Sequence, residues 1–139
     1  MAVVRAGEQF TFFANGVPVL TAPIPDVMSV EELVHLPMLW VERPRRALVL
    51  GGGVGGVLRE LAKYGWERVD YAELDPALIE AVRANPTPLT EAELAYPALH
   101  LEVTDGRWLV RSRTAGGPPP PADRYDLILV NVPYPSTLL

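Results

Sequence analysis

The 139-residue chain contains no cysteine and only two histidines, His35 and His100. The first absence excludes a disulfide scaffold, thiolate metal sites and cysteine nucleophiles, and the second excludes a histidine-rich metal centre, so no metal is expected. No apolar run approaches the roughly 20 residues that a membrane-spanning helix needs, and Met1 to Gly7 lack the basic-then-apolar layout of a signal peptide. A basic footprint is also missing. With a net charge of -5 and a pI near 5.0, and only a small local cluster at Arg43, Arg45 and Arg46, nucleic acid is not an expected partner. These absences point to a cytoplasmic protein whose chemistry comes from carboxylates, hydroxyls and backbone. What is present, 49% hydrophobic and 21% charged residues, is the make-up of a globular chain able to bury a core.

Gln9 to Leu20 places apolar and aromatic residues around Asn15-Gly16, the pair that best tolerates a tight hairpin turn, and predicts an N-terminal β-hairpin. Ser29 stands three residues before Glu32 at a capping-box spacing, and Leu33, Leu36, Leu39 and Trp40 recur at helical intervals. They predict a helix from about Val30 to Val41, bent at Pro37. From Arg46 the pattern changes. Ala-Leu-Val-Leu before glycines reads as a strand buried on both faces, followed by a helix over Val57 to Tyr64 closed by Gly65. Val69 to Glu73 repeats the strand, with Asp75-Pro76 as cap and first residue of the next helix, running to about Ala84. Thr90 and Glu93 suggest another short capped helix. Leu99 to Val103 is a third strand, Asp105-Gly106 opens a helix through Arg113, and Asp126 to Val130 is a fourth strand.

Strands alternating with helices require parallel pairing with right-handed crossovers, in the order 3-2-1-4. The expectation is an open α/β sheet over residues 44–139, preceded by a hairpin and helix over residues 1–43. The chain ends nine residues after the fourth strand, so the sheet looks incomplete: either a second copy covers its open edge or the chain is a truncated piece.

The strongest motif is Gly51-Gly52-Gly53-Val54-Gly55-Gly56, in which Gly51, Gly53 and Gly56 satisfy G-x-G-x-x-G directly after a strand and before a helix. Glu73 ends the second strand about 20 residues on, placed to accept hydrogen bonds from both hydroxyls of a ribose. Asp105-Gly106 adds a third acidic turn. Together they mark a nucleoside cleft. The alternative is purely structural: glycines that permit tight strand-to-helix packing, Glu73 as a strand-end solvent acid and Asp105 as a helix cap. His35 on a mostly apolar helix reads as a packed, hydrogen-bonded residue. Trp40, Trp66 and Trp108 do not interleave with basic residues and read as core or edge packing.

The run ALVLGGGVGGVLREL from Ala47 to Leu61, YAELD from Tyr71 to Asp75, Asp105-Gly106 and the strand end Tyr125 to Val130 closely resemble the polyamine aminopropyltransferases, the spermidine and spermine synthases. His35-Leu36-Pro37 and the Asn-Gly hairpin also look like that family's N-terminal region. The resemblance implies a class I methyltransferase-like (Rossmann-like) sheet that binds decarboxylated S-adenosylmethionine, with Gly51, Gly53, Gly56 and Gly106 lining the site, Glu73 on the ribose and Asp105 near the adenine amino group.

Several positions depart from the family pattern. Val54 stands where the family's glycine loop carries an aspartate for the aminopropyl ammonium. Asn131 stands at the family's general base, and Tyr134 at its polyamine-binding aspartate. Upstream of His35, Ser29 and Val30 replace the first two residues of the Tyr-His/Gln-Glu signature, leaving Glu31. Losing a general base costs about 10²- to 10⁴-fold in rate, and stripping the partner from a buried ammonium roughly 3 to 5 kcal/mol more. These departures argue against standard aminopropyl transfer by this chain alone, with Asp26, Glu31 and Asp126 as the candidate shifted acids. Three functions compete: a cleft for S-adenosylmethionine, its decarboxylated form or methylthioadenosine; a non-catalytic assembly module; or a methyltransferase, for which Val54 suits a cofactor carrying a carboxylate. A nicotinamide enzyme fits the Glu-x-Asp strand end less well.

Overall fold

Asn15 and Gly16 take φ of 51° and 77°, the two left-handed residues that a tight hairpin turn needs, and join β2 (Gln9–Ala14) to β3 (Val17–Ala22). The structure, a computed structural model, describes residues 1–132. It adds a strand that the sequence reading lacks, β1 (Ala2–Ala6), so the hairpin is part of a three-stranded antiparallel sheet in the order β1-β2-β3. Four of the five β1 residues are exposed. The strand is fixed by its ladder to β2, with Val4 opposite Thr11, and not by a buried alternation of its own.

Helix α1 (Val27–Met38) starts a turn earlier than the Ser29/Glu32 spacing predicts. Asp26 is the N-cap: its carboxylate accepts from the Ser29 backbone N–H at 3.3 Å and from the Ser29 hydroxyl at 2.8 Å. Ser29 is not the cap because the helical backbone already begins at Val27, with the Val30 N–H donating to the Asp26 carbonyl at 3.0 Å. The same one-turn displacement recurs in α4.

The remaining elements are β4 (Arg46–Leu50), α2 (Val57–Ala62), β5 (Arg68–Glu73), α3 (Pro76–Ala84), α4 (Pro88–Leu94), β6 (Leu99–Val103), α5 (Gly106–Thr114) and β7 (Leu127–Val130). The four strands are parallel and ordered β6-β5-β4-β7, which is the expected 3-2-1-4 arrangement. Helix α4 is capped by Thr87, which exchanges hydrogen bonds with Thr90, and Pro88 fills its first position. Glu93 is therefore not a capping residue.

Right-handed crossovers decide which face each helix covers. The chain steps from β4 to β5 to β6 in one direction and returns from β6 to β7 in the other, so α5 lies on the opposite face from α2, α3 and α4. Alternation along the strands matches this. Ala47, Val49, Val69, Tyr71, Leu127 and Leu129 join a large buried cluster that also takes in Val34 of α1 and Phe12, Leu20 and Ala22 of the N-terminal sheet. Leu48 and Ala72 point the other way, to Leu109 of α5. On β7 that second face is bare among the described residues: Ile128 and Val130 are 55% and 59% exposed. Among the described residues, no helix is long and apolar enough to cross a membrane.

Candidate functional site

The carboxyl ends of β4 and β5 lie side by side because the strands pair in register, Leu50 against Ala72. The glycine turn leaving β4 is thereby set against Glu73. Gly51 N–H donates to the Ala72 carbonyl at 2.8 Å, and Gly52 N–H points at Glu73 Oε2 at 3.3 Å. Gly52 has φ of 55°, and a Cβ there would fall 2.6 Å from Asn131 Nδ2. The turn needs glycine for both reasons. At Gly53 the constraint is space alone, since an added Cβ would meet the Tyr71 ring at 2.9 Å.

Glu73 is 6% exposed and already well supplied with donors. Its Oε2 accepts from the Tyr71 hydroxyl at 2.5 Å as well as from Gly52, and its Oε1 accepts from the Asp75 N–H at 3.2 Å. A carboxylate offers about four acceptor directions. One on Oε1 remains for a ligand hydroxyl, and a second hydroxyl has to displace the long Gly52 contact. Tyr71 is the residue that the sequence reading misses. It is fully buried two residues before Glu73 on the same strand face, and burial together with the neighbouring carboxylate raises its hydroxyl pKa well above the ordinary tyrosine value.

Asp105 follows the neighbouring strand β6, where the Thr104 N–H donates to the Glu73 carbonyl at 2.8 Å. It caps α5 through the Arg107 N–H at 2.8 Å and is paired with the Arg107 guanidinium at 2.9 Å. The Arg107 side chain and then its backbone N–H hold the Asp105 carboxyl below the usual aspartate range. An added Cβ at Gly106 would sit 2.9 Å from Leu50 Cδ2, so that glycine permits close approach of α5 to β4.

Val54 is 4% exposed and belongs to the large core cluster, so its side chain packs inward. Asn131 follows β7, and its Nδ2 donates to the Gly52 carbonyl at 3.0 Å. An amide can brace the glycine turn in this way. A carboxylate cannot. Asn131→Asp is accordingly expected to lose about 1–2 kcal/mol of stability through a lost bond and a new acceptor–acceptor contact, read from the urea midpoint. Tyr134 lies outside the described residues.

The three other acids are placed differently. Asp26 caps α1, and Glu31 is exposed on that helix. Asp126 accepts from the Arg45 and Arg46 N–H groups, both at 3.0 Å, at the amino end of β4, the opposite end of the strand from Gly51. His35 is bonded on both nitrogens, Nδ1 to the Tyr64 hydroxyl at 2.5 Å and Nε2 to Glu60 at 2.8 Å, and ties α1 to α2. Trp66 is buried, whereas Trp40 and Trp108 are 79% and 60% exposed and so are not core residues.

The outer side of the glycine turn is held by Glu93 of α4. Its Oε2 accepts from Gly55 N–H at 2.8 Å, and its Oε1 from Gly56 N–H at 2.7 Å and Arg59 N–H at 3.1 Å. The Thr90/Glu93 spacing, which reads as a capping box, conceals this contact in the sequence. An open cavity of about 660 Å³ lies away from the turn, on the α5 face between Leu48, Leu109, Arg113, Tyr125 and Ile128. No group of three or more His, Cys, Asp or Glu side chains able to hold a metal ion occurs among the described residues.

A parallel 3-2-1-4 sheet with a glycine turn after its first strand and a carboxylate ending its second is the arrangement of a methyltransferase-like α/β domain. Residues 27–138 match the spermine/spermidine synthase domain, and the chain belongs to that family. It is 33% identical to a polyamine aminopropyltransferase of Korarchaeum cryptofilum over 105 residues, covering 76% of this chain and 30% of that protein. It is also 33% identical over 138 residues to polyamine aminopropyltransferase 2 of Aquifex aeolicus, covering 99% of this chain and 26% of that one. Spermidine synthase of Thermotoga maritima superposes with a TM-score of 0.72 at 25% identity, over 94% of this chain and 47% of its own. A spermidine synthase in complex with the transition state analogue AdoDATO gives a TM-score of 0.73 at 24% identity, over 94% and 46%. The chain thus spans about a quarter to a third of these curated relatives and just under half of the solved structures.

Proposed function

We propose that this spermidine-synthase-like chain binds a nucleoside derived from methionine, either S-adenosylmethionine, its decarboxylated form or methylthioadenosine, at the carboxyl edge of the sheet. We further propose that it does not by itself perform standard aminopropyl transfer. The observation that carries the first part is the glycine turn lying 3.3 Å from a nearly sealed carboxylate, Glu73, with one acceptor direction unspent. A sugar hydroxyl suits that direction, and the glycine turn, closed on its other sides by Asn131 and Tyr71, fixes the backbone against which the sugar would lie. Asp105, at the next strand end, is the candidate for the base.

The residues fit the sugar half of such a molecule and not its amine half. A free aminopropyl ammonium needs a carboxylate partner, and Val54 packs into the core while the Asn131 amide is engaged on Gly52. An attacking amine must also lose a proton, and an amide does not take it. Of the three ligands, methylthioadenosine, which has no amine tail, is the best match. Calorimetric titration with all three tests the reading: a saturable heat, strongest with methylthioadenosine, is expected, and no heat with any of them overturns it.

The bare face of β7 supports a homodimer that covers Ile128 and Val130 as a second part of the proposal. Sedimentation is expected to show the dimer, and a stable monomer at micromolar concentration refutes it.

A further inference from the structure

We propose that Glu93 is a positioning residue for the nucleoside site: it serves as the resident anion of the glycine turn and fixes the backbone on which the ligand rests. This rests on the nucleoside reading above and adds a residue that makes no ligand contact itself. Three features carry it. Glu93 is 2% exposed, its two oxygens take three backbone N–H groups at 2.7 to 3.1 Å, and those donors bracket the junction from turn to helix α2. Gly55 and Gly56 have φ of 94° and 118°, a stretch with wide conformational freedom in the absence of an anchor.

Burying a carboxylate is costly, and here the cost is offset chiefly by charge-assisted bonds to main-chain donors. Arg59 of α2 is the cation whose charge acts on the group, and its guanidinium is bonded to Glu60. Burial nevertheless pushes the Glu93 carboxyl above the usual glutamate range, with the N–H bonds from Gly55, Gly56 and Arg59 pulling it partway back. A buried acid kept at such a cost across 37 residues of chain has a task that a hydrophobic side chain would not perform. The turn has two sides. Asn131 braces the Gly52 carbonyl on one and Glu93 gathers the N–H groups on the other, leaving Gly52 and Gly53 held between them. The three N–H groups spent on Glu93 are also withdrawn from any ligand.

The test compares the wild-type chain with Glu93→Gln, Glu93→Ala and Thr90→Val. Thr90 is buried on the same helix but is bonded to Thr87 and not to the turn. Glutamine keeps the volume but presents its NH₂ to one of the three N–H donors. Methylthioadenosine affinity is measured by calorimetry, turn order by amide hydrogen exchange at Gly55 and Gly56, and stability by melting temperature. Glu93→Gln is expected to weaken binding by about tenfold, and Glu93→Ala by more, with faster exchange at both glycines. Thr90→Val is expected to lower the melting temperature by about 4 °C and leave affinity unchanged. Affinity within about twofold of wild type in both Glu93 variants, or an equal loss in Thr90→Val, overturns the proposal. If the wild-type chain binds no nucleoside, the functional reading fails on its own. Exchange then decides whether Glu93 orders the turn, and unchanged exchange at Gly55 and Gly56 refutes that too.

Discussion

Glu73→Ala is expected to reduce methylthioadenosine affinity by about 100-fold, the largest binding effect of any single substitution in this chain. A hydrogen bond from a sugar hydroxyl to a carboxylate is worth about 1.5–3 kcal/mol, the second one less because it displaces the Gly52 N–H, and about 2.8 kcal/mol in all is 100-fold. Glu73→Gln is expected to lose at least about tenfold, because the amide must face either the Asp75 N–H or the Gly52 N–H with a donor of its own. The alanine variant also strands the buried Tyr71 hydroxyl, at a cost of about 1–3 kcal/mol in stability. Affinity is therefore measured at a temperature where circular dichroism shows each variant folded. An alanine variant that binds within about threefold of wild type would place the sugar elsewhere and remove the central support for the proposed cleft.

Much of the sheet was legible in the sequence because its signals are local and redundant. Ala47-Leu48-Val49 is apolar on both faces and ends in glycines, and Asp75-Pro76 combines a cap with a first-turn proline, so strand and helix boundaries there agree to within about a residue or two with the reading. The order 3-2-1-4 followed from the alternation of strands and helices read as a doubly wound sheet with right-handed crossovers. Helix starts were less legible, because the capping-box spacing is degenerate. Ser29 and Thr90 each stand three residues before a glutamate, yet each is the third residue of a helix that Asp26 or Thr87 caps. Strand β1 carries no buried alternation and so no readable signal.

The candidate site divides in the same way. Glu73 and the glycines have a fixed spacing along the chain, and the structure brings Glu73 within 3.3 Å of the turn. Side-chain orientation was not readable: Val54 points into the core, and the Asn131 amide reaches a carbonyl 79 residues away. Sequence places a residue at a position in a motif; the packing around it decides which way it faces. Tyr71 is the exception. Its i, i+2 spacing to Glu73 along a strand puts both on one face, and this signal was available in YAELD.

On the other face of the sheet, Asp70→Asn is expected to cost about 2–3 kcal/mol in stability, measured by urea unfolding at neutral pH. Asp70 is 1% exposed and accepts from the Tyr125 hydroxyl at 2.7 Å, from Arg113 Nη1 at 2.9 Å and from Arg68 Nε at 3.0 Å. It thereby joins β5, α5 and the start of β7. The figure stays below the full penalty for breaking a buried pair because Arg113 is about a third exposed and keeps Glu102 at 2.7 Å as a second partner. Burial alone would raise the Asp70 carboxyl. The hydrogen bonds from Tyr125 and Arg113 and the charges of Arg113 and Arg68 outweigh it and set the pKa below the ordinary aspartate value of 3.8. The folded state therefore holds this proton more weakly than the unfolded chain does. Its contribution is complete above the unfolded value and is lost as pH falls through the folded one. Glu60 is lowered in the same sense and Glu93 is raised, but both are present in wild type and variant and cancel in the difference. The stability gap between wild type and Asp70→Asn is thus expected to be constant from about pH 7 to pH 5 and to narrow below about pH 4. A gap that stays constant into more acidic solution would mean that the variant loses packing and not a carboxylate.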